Sequence, residues 1–186
     1  LKLIYDSNPN IKFYISSSEL KESLASVGVA SSISDIKPEL NSIFFNMFKN
    51  TIKFAATDSF RLAERSITSK SFHLDKQVSF LVPQKTIIEL LKLLDRKDED
   101  ISVGTNKNQL VVSGSNFKFI SRLTEGNFPD YDQVIPKNFK TIAIAKRSDI
   151  VSHIKLSSIF SGKLNDLTIS FEPEKKQITI STNDSE

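Results

Sequence analysis

Apolar positions in this chain follow two periods that switch at regular intervals. Residues 11–15 (IKFYI) read as a strand. Ser16-Ser17-Ser18 with Glu19 then supplies helix-start chemistry, and Leu20, Leu24, Val27 and Ser31 recur at helical spacing with Lys21, Glu22 and Ser26 opposite them. Lys37-Pro38 breaks any continuation. Residues 40–48, 51–56 and 60–67 predict three strands, with turns at Lys49-Asn50 and Thr57-Asp58-Ser59. The pattern then restarts. Residues 77–82 are a strand and Pro83 sits at a first helical position. Ile87, Leu90, Leu91 and Leu94 form an apolar stripe, with Lys85, Glu89, Lys92 and Arg96 outside it. Strands at 101–103, 109–113 and 117–122 follow, separated by Asn106-Lys107-Asn108 and Gly114-Ser115-Asn116.

Residues 11–122 therefore read β-α-β-β-β twice, with the helix opening at Ser18 in the first unit and at Gln84 in the second. This is a repeat of pattern rather than of identity. A third unit begins after residue 136. Residues 141–145 (TIAIA) read as a strand, Ser148-Asp149-Ile150 repeats Ser18-Glu19-Leu20, and Ile150, Val151, Ile154 and Ser157 carry a helical stripe. Strands at 167–171 and 177–181 flank a turn at 172–176, and residues 178–185 resemble residues 52–59. The fold class predicted is α+β, built of repeated half-units with the helices on one face of antiparallel sheets. Residues 1–10 start on Leu, carry an Asn8-Pro9-Asn10 turn signal, and read as the tail of a preceding domain or linker. The domains expected are 11–136 and a truncated one over 137–186.

Residues 123–136 (LTEGNFPDYDQVIP) join these two and have no periodicity, yet Phe128, Tyr131, Val134 and Ile135 are large and apolar. An irregular segment that keeps such side chains packs against something, either its neighbouring domains or a partner.

Composition narrows the function. Hydrophobic residues make up 39% and charged ones 25%, as in ordinary globular proteins. With no cysteine there is no disulfide framework, thiolate nucleophile or thiolate metal site. The net charge of +3 permits a polyanion partner without requiring one, since 25 basic residues face 22 acids. There is no glycine-rich phosphate loop, and His73 and His153, the two histidines, lie at no metal-ligand spacing. Asp58 after a strand could act as an acid, but Thr-Asp-Ser is turn chemistry, and that reading is the stronger one. No cofactor is expected and an enzyme is the weakest reading. Lys21, Lys85, Lys92 and Lys155 recur on the polar faces of the helices. Singly they are ordinary solvated positions. As a repeated set lining one surface they would attract phosphates without reading bases.

Four stretches resemble the bacterial sliding clamp, the β subunit of DNA polymerase III. Thr57-Asp58-Ser59-Phe60-Arg61-Leu62-Ala63 resembles the family's Thr-Asp-Gly-His-Arg-Leu-Ala, and Lys37-Pro38-Glu39-Leu40-Asn41-Ser42 its Arg-Pro-x-Leu-x-Gly. Pro83-Gln84-Lys85 resembles its Pro-Arg-Lys helix start. The most specific match sets residues 122–131 (RLTEGNFPDY) against Lys-Leu-x-x-Gly-x-Phe-Pro-Asp-Tyr. The order of all four agrees, and the resemblance spans the middle domain and the first half of the third.

This resemblance implies the DNA-clamp fold and a non-catalytic, cytoplasmic homodimer that encircles duplex DNA without regard to sequence. Its partners would be the DNA polymerase III α subunit, the clamp loader and other proteins carrying a clamp-binding motif. By the same resemblance, partner peptides dock between the middle and third domains on Leu40, Thr57, Ser59, Phe60, Arg61, Leu62, Pro129, Gln133 and Val134. Lys21, Lys85, Lys92 and Lys155 would face DNA, and Ile159 and Phe160 match an apolar pair at the subunit interface. Ser42 and Ser59 stand where the family has Gly, and Phe60 where it has His, which makes the cleft more apolar. A β-rich protein-interaction module that does not encircle DNA is the alternative.

Overall fold

A computed structural model describes residues 11–68, 72–95, 97–106, 108–162 and 166–182. The chain divides into two compact units, with the boundary between Pro129 and Asp130. The turn at 8–10, Arg96, Lys107 and the Asn183-Asp184-Ser185 match lie outside the described residues.

The first unit runs β1(Ile11–Ser16), α1(Ser17–Gly28), β2(Ser42–Lys49), β3(Thr51–Thr57), β4(Leu62–Thr68), β5(Leu74–Pro83), α2(Gln84–Leu94), β6(Asp100–Thr105), β7(Gln109–Ser113), β8(Lys118–Arg122). This is the doubled β-α-β-β-β order. It forms two antiparallel sheets, β4-β3-β2-β5 and β1-β6-β7-β8. Strand alternation decides which side chains face inward. On β2, Ile43, Phe45 and Met47 are buried, and they pair with Ile52 and Phe54 of β3 and with Val82 of β5. Phe13, Ile15, Ile101, Val103, Leu110 and Val112 do the same for the second sheet. Leu20, Leu24 and Val27 of α1 and Ile87, Leu90 and Leu94 of α2 join both sets in one core.

The helices pack side by side, and polar contacts set their direction. Ser16 caps α1 by accepting the Glu19 N–H at 3.2 Å. Buried Ser17 donates its N–H to the Glu99 carbonyl (2.9 Å) and its hydroxyl to the Lys97 carbonyl (2.9 Å). Asp98 accepts the Ser18 N–H at 3.2 Å, and Lys21 pairs with Asp95. The start of α1 is thus tied to the end of α2, so the helices run antiparallel. Lys21 and Lys85 therefore sit at opposite ends of the pair, roughly 16 Å apart along the helix axes.

Residues 123–129 start beside β5, the edge strand of the first sheet, and bring Phe128 onto the face of that sheet opposite the core. The Thr124 N–H donates to the Leu81 carbonyl at 2.9 Å, and the Thr124 and Ser42 hydroxyls are 2.8 Å apart. Phe128 stacks on Phe44 with ring centroids 4.7 Å apart. The apolar character of this irregular segment is explained in its first half by packing on its own unit.

The β3–β4 connection is a turn held by side chains. The Thr57 hydroxyl donates to the Arg61 carbonyl (2.7 Å) and accepts the Ser59 N–H (3.1 Å). Asp58 Oδ1 accepts the N–H groups of Phe60 and Arg61, each at 3.0 Å. These bonds hold Ser59 at φ +78°, in the left-handed region that favours glycine.

The second unit contains α3(Arg147–Ser158) and a hairpin of β9(Thr168–Glu172) and β10(Gln177–Ser181), joined through a 3-10 turn at Pro173–Lys175. Tyr131 is buried, whereas no residue of α3 is.

Several expectations shift. Residues 141–145 form no strand and are exposed, because among the described residues no strand pairs with them and alternation alone does not hold a strand in water. Leu40, Phe60 and Arg61 lie outside the strands, which begin at Ser42 and Leu62, because backbone bonds of the 37–41 and 57–61 turns take up the flanking residues. Pro83 ends β5 and occupies the N-cap of α2 rather than its first turn.

Phe45 packs between Phe80 (4.8 Å) and Phe54 (4.9 Å) at the centre of the core. Phe45→Ala is expected to destabilise the first unit by about 3–5 kcal/mol in urea unfolding; a destabilisation under about 1 kcal/mol would contradict this packing. At Ser59, a β-branched side chain meets the left-handed backbone directly, so Ser59→Val should cost about 1–3 kcal/mol while Ser59→Gly costs none. Equal thermal stability of the two variants would show that the turn does not hold this conformation.

Candidate functional site

The β3–β4 turn projects Phe60 outward, leaving the residue 98% exposed. Beside it lies a depression of about 360 Å³ lined by Ser32, Ser34, Ile36, Lys37, Leu40, Asp58, Ser59 and Phe60. Leu40 is 6% exposed yet stands apart from the main core, so it forms apolar floor rather than core. Phe60 lines this depression and does not fill it. Thr57 is buried beneath the turn and Leu62 is half-buried at the start of β4. Arg61 is exposed, with its Nε donating to Asp58 Oδ2 at 3.0 Å.

Asp58 acts as a turn residue. The backbone N–H groups of Arg61 and Phe60, and then the Arg61 guanidinium, hold its carboxyl below the usual carboxylate range. All three favour the ionised form, so the turn keeps its acceptor at neutral pH.

The structure thus brings Leu40, Ser59 and Phe60 together around one depression, with Thr57, Arg61 and Leu62 in or beside the same turn. Sequence reasoning missed the segment 32–37. Its signal lies in Ile33 and Ile36, two large apolar residues in a Ser-, Asp- and Lys-rich stretch, and both are almost fully exposed. Pro129 ends the first unit and is exposed. In the second unit, Gln133 donates to Asp130 Oδ2 at 2.7 Å and Val134 is exposed. Another depression in the first unit, about 390 Å³ and lined by residues including Ser79, Gln109 and Arg122, holds none of the expected cleft or DNA-facing residues.

The four lysines differ. Lys21 pairs with Asp95 and Lys92 with Glu89 (2.9 Å). Lys85 and Lys155 are exposed and make no ion pair among the described residues. Ile159 and Phe160, just past α3, are largely exposed. No helix among the described residues is long and apolar enough to cross a membrane.

Known proteins resemble this chain in sequence and fold. The family described as DNA polymerase III beta subunit, central domain, matches residues 14–130. The beta sliding clamp of Bacillus subtilis is 30% identical over 169 residues, covering 90% of this chain and 44% of that protein. The Pseudomonas aeruginosa beta sliding clamp is 26% identical over 154 residues, 83% of this chain and 42% of that one. This chain spans less than half the length of either relative. The crystal structure of the B. subtilis DNA polymerase sliding clamp superposes with a TM-score of 0.87 at 27% identity, covering 98% of this chain and 47% of that one. A P. aeruginosa sliding clamp bound to griselimycin shares the fold, with a TM-score of 0.84 at 22% identity over 96% of this chain and 51% of that one. The matched segment contains the doubled half-unit, the Thr57–Arg61 turn and the depression beside it, and by that match the chain belongs to the DNA polymerase III beta subunit family, the sliding clamps.

Proposed function

We propose that this chain is part of a DNA sliding clamp, a non-catalytic processivity factor that works as a ring dimer around duplex DNA in the cytoplasm. On this reading residues 11–136 are the middle clamp domain, with a connector at 123–136, and residues 137–186 are the first half of the third. Ile159 and Phe160 would belong to the subunit contact. The polymerase α subunit, the clamp loader and other motif-bearing proteins would be tethered by short peptides docking on Leu40, Thr57, Ser59, Phe60, Arg61, Leu62, Pro129, Gln133 and Val134.

One observation carries the proposal. Within the family-matched segment, a side-chain-locked turn presents an exposed Phe beside an apolar-floored depression. Phe60 and Ile36, both exposed, adjoin the Leu40 floor in one apolar patch, and contiguous exposed patches mark interaction sites. A buried Leu or Phe anchor of a peptide would contribute about 1.5–3 kcal/mol there, and the Arg61 stem would cover apolar surface while its head stays in water.

DNA contact on this reading is electrostatic and indifferent to sequence, because the helix lysines form no base-reading cluster. Lys85, which makes no ion pair among the described residues, should count for more than Lys92, whose charge Glu89 already offsets.

Two measurements test the proposal. In a DNA-retention assay with the full-length protein, Lys85→Glu should weaken binding and lower the salt slope by about 0.9 for each phosphate no longer neutralised, with Lys92→Glu weaker in effect. An unchanged slope for Lys85→Glu removes that residue from the DNA-facing surface. Titration of a labelled Gln-Leu-x-Leu-Phe peptide should show Leu62→Lys and Val134→Lys binding at least about tenfold more weakly than wild type while remaining folded. Equal affinity in all three proteins would leave the cleft without support.

A further inference from the structure

We infer that the open edge of β5 at Ser79 is a docking site for an extended segment of a partner polypeptide, which adds a fifth strand to the β4-β3-β2-β5 sheet and lays an apolar side chain over Phe80 and Leu123. This site goes beyond the clamp reading and does not depend on it. Hydrogen-bond direction supplies the first argument. Opposite residues of an antiparallel pair alternate between exchanging backbone bonds and turning those groups outward. Phe44 lies opposite Leu81, and Asn46 opposite Ser79. The Leu81 carbonyl accepts the Thr124 N–H at 2.9 Å, so Leu81 is turned outward, and by alternation so is Ser79. β5 is an edge strand, Ser79 is exposed, and among the described residues no backbone group bonds Ser79 on that side. One N–H and one C=O therefore stand open about 7 Å along the strand from the Thr124 bond.

The path of the chain supplies the second. Thr124 already pairs with this edge, but the pairing stops at a single bridge. Gly126, at φ +124°, adopts a backbone conformation that side chains rarely allow and turns the chain off the edge, and Phe128 then sits on Phe44. The edge beside Ser79 is left to a ligand that stays extended.

Shape supplies the third. The depression of about 390 Å³ beside Arg122 adjoins another of about 240 Å³, and the two share Ser79, Phe80 and Leu123. Phe80 and Leu123, with Ile11 and Val78 in the smaller depression, are only half-buried against the core. Every second side chain of a strand added here points toward these residues, so an apolar one gains buried area and a polar one loses its water. The larger depression carries Arg122 and Glu125, one charge of each sign. Main-chain bonds and one apolar face, rather than net charge, then select the segment.

The probe is fluorescein-labelled Lys-Thr-Val-Thr-Leu-Thr-Lys, together with a copy N-methylated at every internal residue, and the protein is the full-length chain. Wild type should bind the parent at least about tenfold more tightly than the methylated copy. Ser79→Pro removes only the outward N–H and spares the bonds to β2, so it should weaken parent binding by a similar factor with the thermal midpoint unchanged. A second measurement needs no variant. In the free protein the Ser79 amide should exchange with solvent at least about tenfold faster than that of Phe80, and saturating peptide should slow it by about the same factor. Leu62→Lys and Lys85→Glu, which test the cleft and DNA readings, should bind the parent as wild type does. Equal affinity for the parent and the methylated copy, or a Ser79 amide that the peptide leaves unprotected, overturns the inference. Loss of parent binding in Leu62→Lys would place the peptide in the cleft and overturn it as well. No binding to wild type defeats the edge site and leaves the clamp reading standing. Concentration-dependent self-association that disappears in Ser79→Pro would assign the edge to a second copy of the chain and overturn the partner segment.

Discussion

Neither half of the first unit can bury its helix alone. Leu20, Leu24 and Val27 on α1 and Ile87, Leu90 and Leu94 on α2 become dry only because the two stripes share one core between two sheets. Burial of side chains of this size stabilises by about 1.5–3 kcal/mol each, which exceeds what helices of this length gain from propensity. The polar ties at one end of the pair, Ser17 to Lys97 and Glu99 and Asp98 to Ser18, satisfy helix-end groups and fix the antiparallel direction. In the second unit a helix of the same pattern, α3, faces a two-stranded hairpin and none of its residues is buried.

The shared core also positions the candidate site. With β2 and β3 fixed by Phe45, Met47, Ile52 and Phe54, the β3–β4 turn emerges at a set place. Thr57 and Asp58 then decide how it bends. Leu40, preceding β2, reaches the same depression because β2 and β3 are neighbours. Rigid strands supply position and a short locked turn supplies the exposed side chain, a division of labour common to binding surfaces. Lys21 and Lys92 illustrate the opposite case: repeated at expected positions, they are partly neutralised by nearby carboxylates.

Much of this was legible in the residues themselves. The doubled β-α-β-β-β order, both helix stripes and the turn chemistry of Thr57-Asp58-Ser59 follow from periodicity and from the hydrogen-bonding habits of short polar side chains, which are local properties. The same locality explains why residues 141–145 misled. Their alternation is that of a strand, but a strand exists only with a neighbour to pair with, and pairing is not written in the segment.

Tertiary structure alone decided the rest. That Lys21 meets Asp95, and so lies far along the helix pair from Lys85, depends on helix direction, which no local pattern encodes. That Phe128 stacks on Phe44 depends on the path the chain takes from the β5 edge, where Thr124 bridges Leu81, onto the sheet. That residues 32–37 join Phe60 around one depression depends on two turns separated in sequence meeting at the end of adjacent strands. Sequence by itself determined which residues would be helical, extended or turned and which faces would seek burial, because those depend on neighbours a few positions away. Contacts between distant residues, and therefore the composition of the site, came from packing, because only the closed core brings those segments within reach.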